Sequence, residues 1–323
     1  MPVKFMREIW DSDKEHINCF VNPGLLPTGG IMLICGEPGI GKSFLGQQIA
    51  FELSCGRRLL GLFPTRQVTT IFLELEKRSP IARARFRRED WQKEYPDAAL
   101  TLGYYDDDIP QLDTPAGLIK LEELLVKNVK VIVVDSFTTT VLDESDTIHI
   151  KKAVANYRGL AKKHNISFVL IQHLVKRPTA YDPKQGKWKE PPLRLNDIRG
   201  SKYLQYEVDT AIGVAVSKSQ EREVGFLKHS FCPYQLSEQP PLTFKYKPDT
   251  THPFSFSLHK SKEMLDYLEC GSASYSDLES FLQLSRPTLR GIVDTLEGIG
   301  IVRKNFSKGK NEGWVELIDS IIT

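Results

Sequence analysis

The sequence has few cysteines, no long apolar run and no excess of charge of either sign. Its five cysteines are scattered and form no C-x-x-C pair, so neither a disulfide framework nor a zinc site is indicated. No stretch approaches the roughly eighteen apolar residues of a membrane span, and no apolar segment follows the first basic residues. These absences predict an untargeted cytoplasmic protein without a membrane partner.

Net charge and chain length limit the kinds of binding surface and the number of domains that the protein can have. Lys and Arg number 43 against 41 Asp and Glu, so any nucleic-acid surface must be a local patch. A chain of 323 residues exceeds one typical domain and suits two unequal ones.

Between Gly30 and Gly213, short apolar runs alternate with longer amphipathic stretches, which is the pattern of an α/β fold with helices covering a parallel sheet. Each run is apolar on both faces of its pleat, as a strand buried between helical layers must be. Two later runs, 224–228 and 242–246, are predicted to extend the sheet at one edge, with a proline-containing hairpin between them. The main predicted strands are 31–35, 68–75, 129–135, 166–172 and 210–216.

A polar, proline-containing stretch, 247–259, is predicted to link this region to a compact tail over 260–323. The tail reads as three helices, the second with Phe281 facing inward and the third running from an N-cap at Ser285 to Gly298. A strand pair over 301–305 and 314–318 completes the order of a winged helix-turn-helix.

A glycine-rich loop follows the first predicted strand. It matches G-x-x-x-x-G-K-[ST], in which backbone N–H groups close around phosphates, Lys42 meets the β and γ oxygens and Ser43 ligates Mg²⁺. The loop opens a helix whose N-terminal dipole attracts anions, whereas a glycine-rich turn without a ligand is the alternative. The predicted ATP-binding residues are Gly36, Glu37, Pro38, Gly39, Ile40, Gly41, Lys42, Ser43 and Phe44.

Two carboxylates complete a site for ATP hydrolysis. Asp135 ends the run Val-Ile-Val-Val-Asp, where parallel sheets bind ligands, and is predicted to hold Mg²⁺; capping the next segment is a compatible role. The run Ile-Phe-Leu-Glu-Leu-Glu ends with Glu74 and Glu76 on one face. Glu76, nearer the strand end, is predicted to orient the attacking water, with Glu74 as its competitor.

The series LLPTGGIMLICGEPGIGKS, FLELE, VIVVDS and LIQHLVK, in that order, resembles the RecA-like ATPases. Within them it looks most like hexameric plasmid replicative helicases of the RepA type, with DnaB-like helicases, RadA-type recombinases and KaiC-type ATPases as more distant relatives. The resemblance covers roughly residues 10–246. It implies a RecA-like P-loop ATPase domain over 1–246, in which Glu76 activates water and Gln172 or His173 senses the γ-phosphate.

The same resemblance implies an active site shared between subunits, with a Lys-x-Arg pair reaching across from a late strand. The corresponding run here is Lys228-His229-Ser230, so Lys228 is present while Ser230 stands where the arginine finger is expected. Either another cation serves, or hydrolysis is weak and the protein acts as an ATP-gated switch. The alternative cations are Arg199, Lys202 and Arg222.

Two regions carry cations suited to DNA. The run 176–196 has six Lys or Arg against Asp182 and Glu190, with aromatic rings interspersed, as single-stranded DNA binding requires; a merely solvated loop is the alternative. Cations also fall on the third tail helix and the wing, although winged helices serve as protein-docking modules too. The predicted DNA-binding residues are Lys176, Arg177, Lys184, Lys187, Trp188, Lys189, Arg194, Arg286, Arg290, Arg303, Lys304, Lys308 and Lys310.

The sequence therefore predicts an ATP-dependent DNA motor that assembles as a ring or as a filament, and the resemblance implies a hexamer. The first alternative is a regulatory ATP-switch protein that acts through its winged helix. The second is a recombination mediator of the RadA type.

Overall fold

A computed structural model describes residues 18–76, 80–125, 128–174, 180–182, 187–189, 193–199, 202–217, 219–232, 236–258, 260–306 and 313–318. The strands among these residues are β1 (Cys19–Val21), β2 (Leu26–Pro27), β3 (Ile31–Gly36), β4 (Thr69–Glu74), β5 (Leu102–Tyr105), β6 (Val129–Asp135), β7 (Ser167–His173), β8 (Ala180–Asp182), β9 (Lys187–Lys189), β10 (Thr210–Val216), β11 (Arg222–His229), β12 (Leu242–Tyr246), β13 (Phe254–Phe256), β14 (Ala273–Ser274), β15 (Val302–Phe306) and β16 (Gly313–Leu317).

The α-helices of the same residues are α1 (Lys42–Cys55), α2 (Pro80–Phe86), α3 (Glu89–Glu94), α4 (Ala98–Thr101), α5 (Pro115–Glu123), α6 (Thr147–His164), α7 (Lys202–Glu207), α8 (Ser261–Leu268), α9 (Tyr275–Leu282) and α10 (Arg286–Gly298). Within the described part of the chain, no helix has the length and apolarity needed to cross a bilayer.

The centre of the molecule is a nine-stranded sheet in the order β13-β12-β11-β10-β3-β7-β6-β4-β5. The six strands from β10 to β5 are parallel to their neighbours, whereas β11, β12 and β13 are antiparallel and lie at one edge. The predicted α/β fold with a mostly parallel sheet is confirmed, as is the extension at one edge.

Strand β3 is buried on both faces because helical layers cover the sheet on each side. Met32 and Ile34 belong to the apolar cluster that contains the α1 residue Leu45. Leu33 belongs to the opposite cluster, which includes the α6 residue Val154. The alternation places α1 and α6 on opposite faces of the strand that leads into the glycine-rich loop.

The segment predicted as a linker, 247–259, contains the last strand of the sheet. Phe254–Phe256 pairs antiparallel with β12. The buried amide of Gln48, on α1, donates to Phe254 O at 3.1 Å and accepts from Phe254 N at 2.9 Å. The polar, proline-containing sequence does not reveal this strand, because its pairing partners are distant in the chain.

The described residues of the tail form three helices and a three-stranded sheet in the order β14-β16-β15. The prediction that Phe281 faces inward was wrong, because it is 51% exposed and packs against Tyr267 with ring centroids 4.5 Å apart. Leu278 and Leu282, one turn apart on α9, are the residues that fill the buried face. An ion pair between Arg58 and Glu269 joins the tail to the core.

Candidate functional site

The carboxyl ends of four parallel strands meet at one edge of the sheet. The strand register aligns Gly36 at the end of β3 with His173 at the end of β7. It also aligns Glu74 at the end of β4 with Asp135 at the end of β6. Segments far apart in the sequence therefore bring the predicted nucleotide-site residues to one edge, where open parallel sheets bind ligands.

The glycine-rich loop has the backbone that a phosphate site needs. Gly39 and Gly41 have φ of 77° and 107°, which favour glycine, and a Cβ on Gly39 would meet no atom within 4 Å. Lys42 is buried, and its Nζ donates to Glu37 O at 2.8 Å, so the amine lies against the loop. The first turn of α1 carries no acidic residue. This loop fits a triphosphate at the positive end of the helix dipole.

Ser43 and Asp135 are the residues that would hold Mg²⁺. Ser43 is the second residue of α1, and Asp135 is buried at the end of β6. Their oxygen atoms are the ligand type that Mg²⁺ prefers, and the bound ion would neutralise charge on the phosphates. Leu75 N and Glu76 N both donate to Asp135 O, at 2.7 and 3.1 Å, which fixes the two strand ends to each other.

Glu74 and Glu76 differ in burial. Glu74 is 2% exposed within the sheet, whereas the Glu76 side chain is 34% exposed just beyond the strand. Glu76 Oε2 lies 3.6 Å from His173 Nε2. Glu76 is therefore the carboxylate of the two that solvent reaches at this edge, which favours it as the group that orients water.

Gln172 and His173 point to different partners. Gln172 is buried, where its Oε1 accepts from Thr138 Oγ1 at 2.7 Å and its Nε2 donates to Arg199 O at 2.9 Å. His173 instead faces Glu76. The sequence carries no signal for Thr138, since its contact with Gln172 depends on how the 3₁₀ helix Phe137–Thr140 packs against the end of β7.

An aromatic and guanidinium wall, defined as Phe44, Tyr246, Arg85 and Arg222, lies beside the glycine-rich loop. Arg222 donates from Nε to Ile40 O at 2.9 Å, and its guanidinium lies 4.3 Å from the Tyr246 ring centroid. The Arg85 guanidinium lies 4.5 Å from the Phe44 ring centroid. Burial raises the pKa of Tyr246, so its ring is neutral at physiological pH.

The sequence indicates only part of this aromatic and guanidinium wall. Phe44 was predicted at the site and Arg222 was considered as a substitute finger, but Tyr246 carries no motif. Its nearness to the loop is a tertiary contact, since a Cβ on Gly41 would lie 2.8 Å from Tyr246 Cε2 although two strands separate β12 from β3.

Lys228 lies away from the nucleotide edge of its own chain. It pairs with Ala211 near the start of β10, whereas Gly36 pairs with Val214 further along that strand. Its Nζ donates to Gln205 O at 3.1 Å and Tyr206 O at 2.6 Å, so the amine caps the end of α7. Burial lowers the pKa of this amine.

The predicted DNA-binding residues are described only in part. Lys176, Arg177, Lys184, Lys308 and Lys310 lie outside the described residues. The backbone of Lys187, Trp188 and Lys189 forms β9, which pairs with β8. Arg194 is exposed at the start of a short turn.

Of the tail cations predicted to bind DNA, the structure describes four, and three of these contact carboxylates. Arg286 Nη1 lies 2.7 Å from Glu279, and Arg303 lies 3.9 Å from Glu316. Lys304 contacts Asp294 and Glu297 at 2.7 and 2.6 Å, and these hydrogen bonds raise the pKa of its amine. Arg290 is exposed on α10.

Comparison with known proteins finds relatives that match part of this chain. Three curated relatives, named DNA repair protein RadA, come from Streptococcus pyogenes serotypes M6, M18 and M1. Each is 24% identical over 173 residues, which make up 54% of this chain and 34% of the relative. The chain thus spans only about a third of the length of these relatives.

A crystal structure of a KaiC-like protein from Pyrococcus horikoshii OT3 is 15% identical, with a TM-score of 0.49 and coverage of 73% of this chain and 93% of that one. A family model described as AAA domain matches residues 6–178, more than half of the chain. The chain therefore belongs to the AAA domain family, and its glycine-rich loop and mostly parallel sheet are those of a RecA-like P-loop fold.

Proposed function

We propose that the protein is an ATP-dependent DNA-binding motor, an oligomeric helicase of the RepA-like kind that hydrolyses ATP at subunit interfaces. One observation carries this proposal. The loop around Lys42, the carboxylates Asp135 and Glu76, and the strand end at His173 meet at one edge, and the basic run 176–196 begins three residues beyond His173.

The residues of this chain divide the work of hydrolysis. The loop and Lys42 hold the phosphates, Ser43 and Asp135 hold Mg²⁺, and Glu76 orients the attacking water. His173 lies against Glu76 and is placed to respond to the γ-phosphate, while Gln172 is bonded to the segment that returns from the basic run. Hydrolysis then moves that run against single-stranded DNA.

The aromatic and guanidinium wall supplies a platform for the nucleotide base. A flat neutral ring backed by a guanidinium stacks on a base without reading its hydrogen-bonding edge. The position of Tyr246 beside the loop supports this role, because the base must lie within reach of the phosphates.

DNA is the proposed partner, and a hexamer is the proposed assembly. The similarity to proteins named DNA repair protein RadA favours a role on DNA and keeps a RadA-like recombination mediator as an alternative. Lys228 faces away from its own nucleotide site, which is compatible with action on a neighbouring subunit, although Ser230 leaves the arginine finger unassigned.

A regulatory ATP switch is the second candidate, favoured by the tail. The order α8-β14-α9-α10-β15-β16 supports a winged helix-turn-helix over 260–323. Three of the four described cations on its third helix and wing contact carboxylates, which weakens the case for DNA on this surface and favours docking of a protein. Such a switch needs little hydrolysis, in agreement with Ser230 at the finger position.

The rate of ATP hydrolysis with and without single-stranded DNA tests the motor directly. We expect DNA to stimulate the wild-type rate about tenfold or more and Lys42→Ala to abolish both rates. Equal wild-type rates with and without DNA would remove the motor proposal. A preference for one duplex sequence over single strands in a competition assay would favour the regulatory switch instead.

A further inference from the structure

The segment that follows Asp135 contacts the returning chain at two points. Thr138, in the 3₁₀ helix Phe137–Thr140, donates to Gln172, and Gln172 in turn donates to Arg199 O. Further along the same segment, Glu144 forms an ion pair with the Arg199 guanidinium. These contacts run from Thr138 through Gln172 and Arg199 to Glu144. Thr138 and Glu144 both lie on the segment that directly follows Asp135, the predicted Mg²⁺ ligand.

Arg199 is also tied to the strand end through its backbone. Arg199 N donates to His173 O at 3.0 Å, and Leu174 forms a β-bridge with Ile198. Both ends of the stretch that contains the basic run are therefore joined at Leu174 and Ile198. Among the described residues, Glu144 is the side chain that forms an ion pair with Arg199. It lies outside the two segments that are joined at Leu174 and Ile198.

Glu144 lies on a turn that is held firmly. Ser145 donates to Asp143 Oδ1 from both its backbone N, at 2.8 Å, and its Oγ, at 2.6 Å, and these bonds lower the pKa of Asp143. Asp146 accepts from Ile148 N at 2.7 Å and caps α6. The Glu144 carboxylate is therefore presented from a fixed position, so the position of Arg199 follows it.

The carboxylate of Glu144 is polarised toward one partner. Its side chain is 21% exposed, and its Oε2 is buried without a hydrogen-bond partner among the described residues, whereas the Arg199 side chain is 49% exposed. A partly buried carboxylate with one unsatisfied oxygen loses a great deal if its cation leaves. Loss of Arg199 would therefore leave Glu144 without its cation, whereas the Arg199 side chain reaches solvent.

We propose that Glu144 and Arg199 form a positioning pair through which the nucleotide site sets the conformation of the basic run. This rests on the proposed function in that it takes the edge around Lys42 and Asp135 as the nucleotide site. A shift of the strand end at Asp135 on nucleotide binding is passed to Arg199 by two routes, through Thr138 and Gln172 and through Glu144. Arg199 is a positioning residue, because it acts on the basic run through the base at Leu174 and Ile198.

Limited trypsin cleavage of the basic run tests the pair without requiring DNA. The rate of cleavage after the Lys and Arg residues of 176–194 is measured with and without a non-hydrolysable ATP analogue and Mg²⁺. Binding of a fluorescent ATP analogue to each variant shows whether the site is loaded. The variants are Glu144→Gln, Arg199→Gln, their double variant and Arg199→Lys, with Glu269→Gln as the matched control that removes the Arg58 ion pair.

In the wild type and in Glu269→Gln, we expect the nucleotide to change the cleavage rate about fivefold or more, the usual size of a coupling between sites. Glu144→Gln and Arg199→Gln should lose most of this change while still binding the nucleotide. The double variant should be no worse than either single one, because the two residues act as one unit. Arg199→Lys keeps the charge and should restore part of the response.

Three results would overturn the pair. The first is a wild-type protein that binds the nucleotide without any change in cleavage, and the second is a Glu144→Gln variant that responds like Glu269→Gln. The third is additive loss in the double variant. A wild-type protein that binds no nucleotide would overturn both this pair and the ATP site, whereas a normal cleavage response without stimulation by DNA would overturn the motor alone.

Discussion

At the scale of single residues, burial separates two neighbouring carboxylates. Glu74 is enclosed in the sheet, whereas Glu76 is open to solvent beside His173. We expect Glu76→Gln to lower kcat about 100-fold or more and to leave ATP affinity nearly unchanged, because a general base acts mainly on the chemical step.

Steady-state ATPase assays and nucleotide titrations measure the two quantities. Glu89→Gln, an exposed change on α3, is the control that should behave as wild type. A variant Glu74→Gln that loses hydrolysis while Glu76→Gln keeps it would reverse the assignment.

Gly41 has both a steric and a conformational reason to be glycine. Its φ is 107°, and a Cβ there would lie 2.8 Å from Tyr246 Cε2. We expect Gly41→Ala to reduce MgATP affinity about tenfold or more, since both the loop and the ring must shift. By contrast, Gly159→Ala on α6 meets no atom within 4 Å and should stabilise the fold by about 0.5–1 kcal/mol. Calorimetric titration measures the MgATP affinity of both variants, and thermal unfolding measures their stability. Equal MgATP affinity of Gly41→Ala and Gly159→Ala would refute the role given to Gly41.

Tyr246 is the residue that most clearly tests the base platform. Tyr246→Ala removes the ring and should weaken ATP binding about tenfold, at the size of one base-stacking contact, whereas Tyr246→Phe keeps the ring and should bind normally. Inorganic triphosphate, which has no base, provides the comparison and should bind both variants alike. Equal loss of ATP and triphosphate binding in Tyr246→Ala would show that the ring supports the loop instead of the base.

At the scale of elements, helix α1 carries a buried acid that makes stability depend on pH. Glu52 accepts hydrogen bonds from Gln48 Nε2 and Leu60 N, both at 2.8 Å. Burial raises the pKa of Glu52 from 4.5 to about 8. The folded chain therefore holds this proton where the unfolded chain releases it, so the free energy of unfolding falls as pH rises from 4.5 to about 8.

Glu52→Gln should flatten that dependence. The largest slope that one group contributes is about 1.4 kcal/mol per pH unit, and we expect the difference between wild type and variant to approach it. Urea unfolding at several pH values across this window measures the slope, with Glu89→Gln as an exposed control. Parallel slopes for wild type and Glu52→Gln would contradict the buried, protonated state.

Elements were predictable where burial alone decides them. The main parallel strands follow from continuous apolar runs, because helices cover both faces of β3, β6 and β7. Two other strands lack a continuous apolar run. All four residues of β5 are half-buried, and β13 lies within a polar stretch. Their pairing depends on neighbours far away in the chain, such as the Gln48 amide that bonds to Phe254.

At the scale of the whole molecule, the candidate site contains some residues that the sequence pattern indicates and others that only the tertiary structure brings together. The residues from Gly36 to Ser43 stand out in the sequence because their proposed chemistry needs a fixed local spacing, and Asp135 stands out because it ends an apolar run. Tyr246, Thr138 and Glu144 do not, since each gains its role only when the sheet order brings distant segments to one edge. In the tail, the sequence pattern predicts the helices. It does not predict that Arg286 and Lys304 contact carboxylates.

Each proposed role of this protein requires a nucleotide held at the edge of the sheet by the loop around Lys42. Calorimetric titration of wild type and Lys42→Ala with MgATP tests this most directly. We expect about one nucleotide to bind per chain in the wild type and affinity to fall about tenfold or more in Lys42→Ala, because the amine meets the phosphate oxygens. A wild-type protein with no affinity for any Mg-nucleotide would contradict the account.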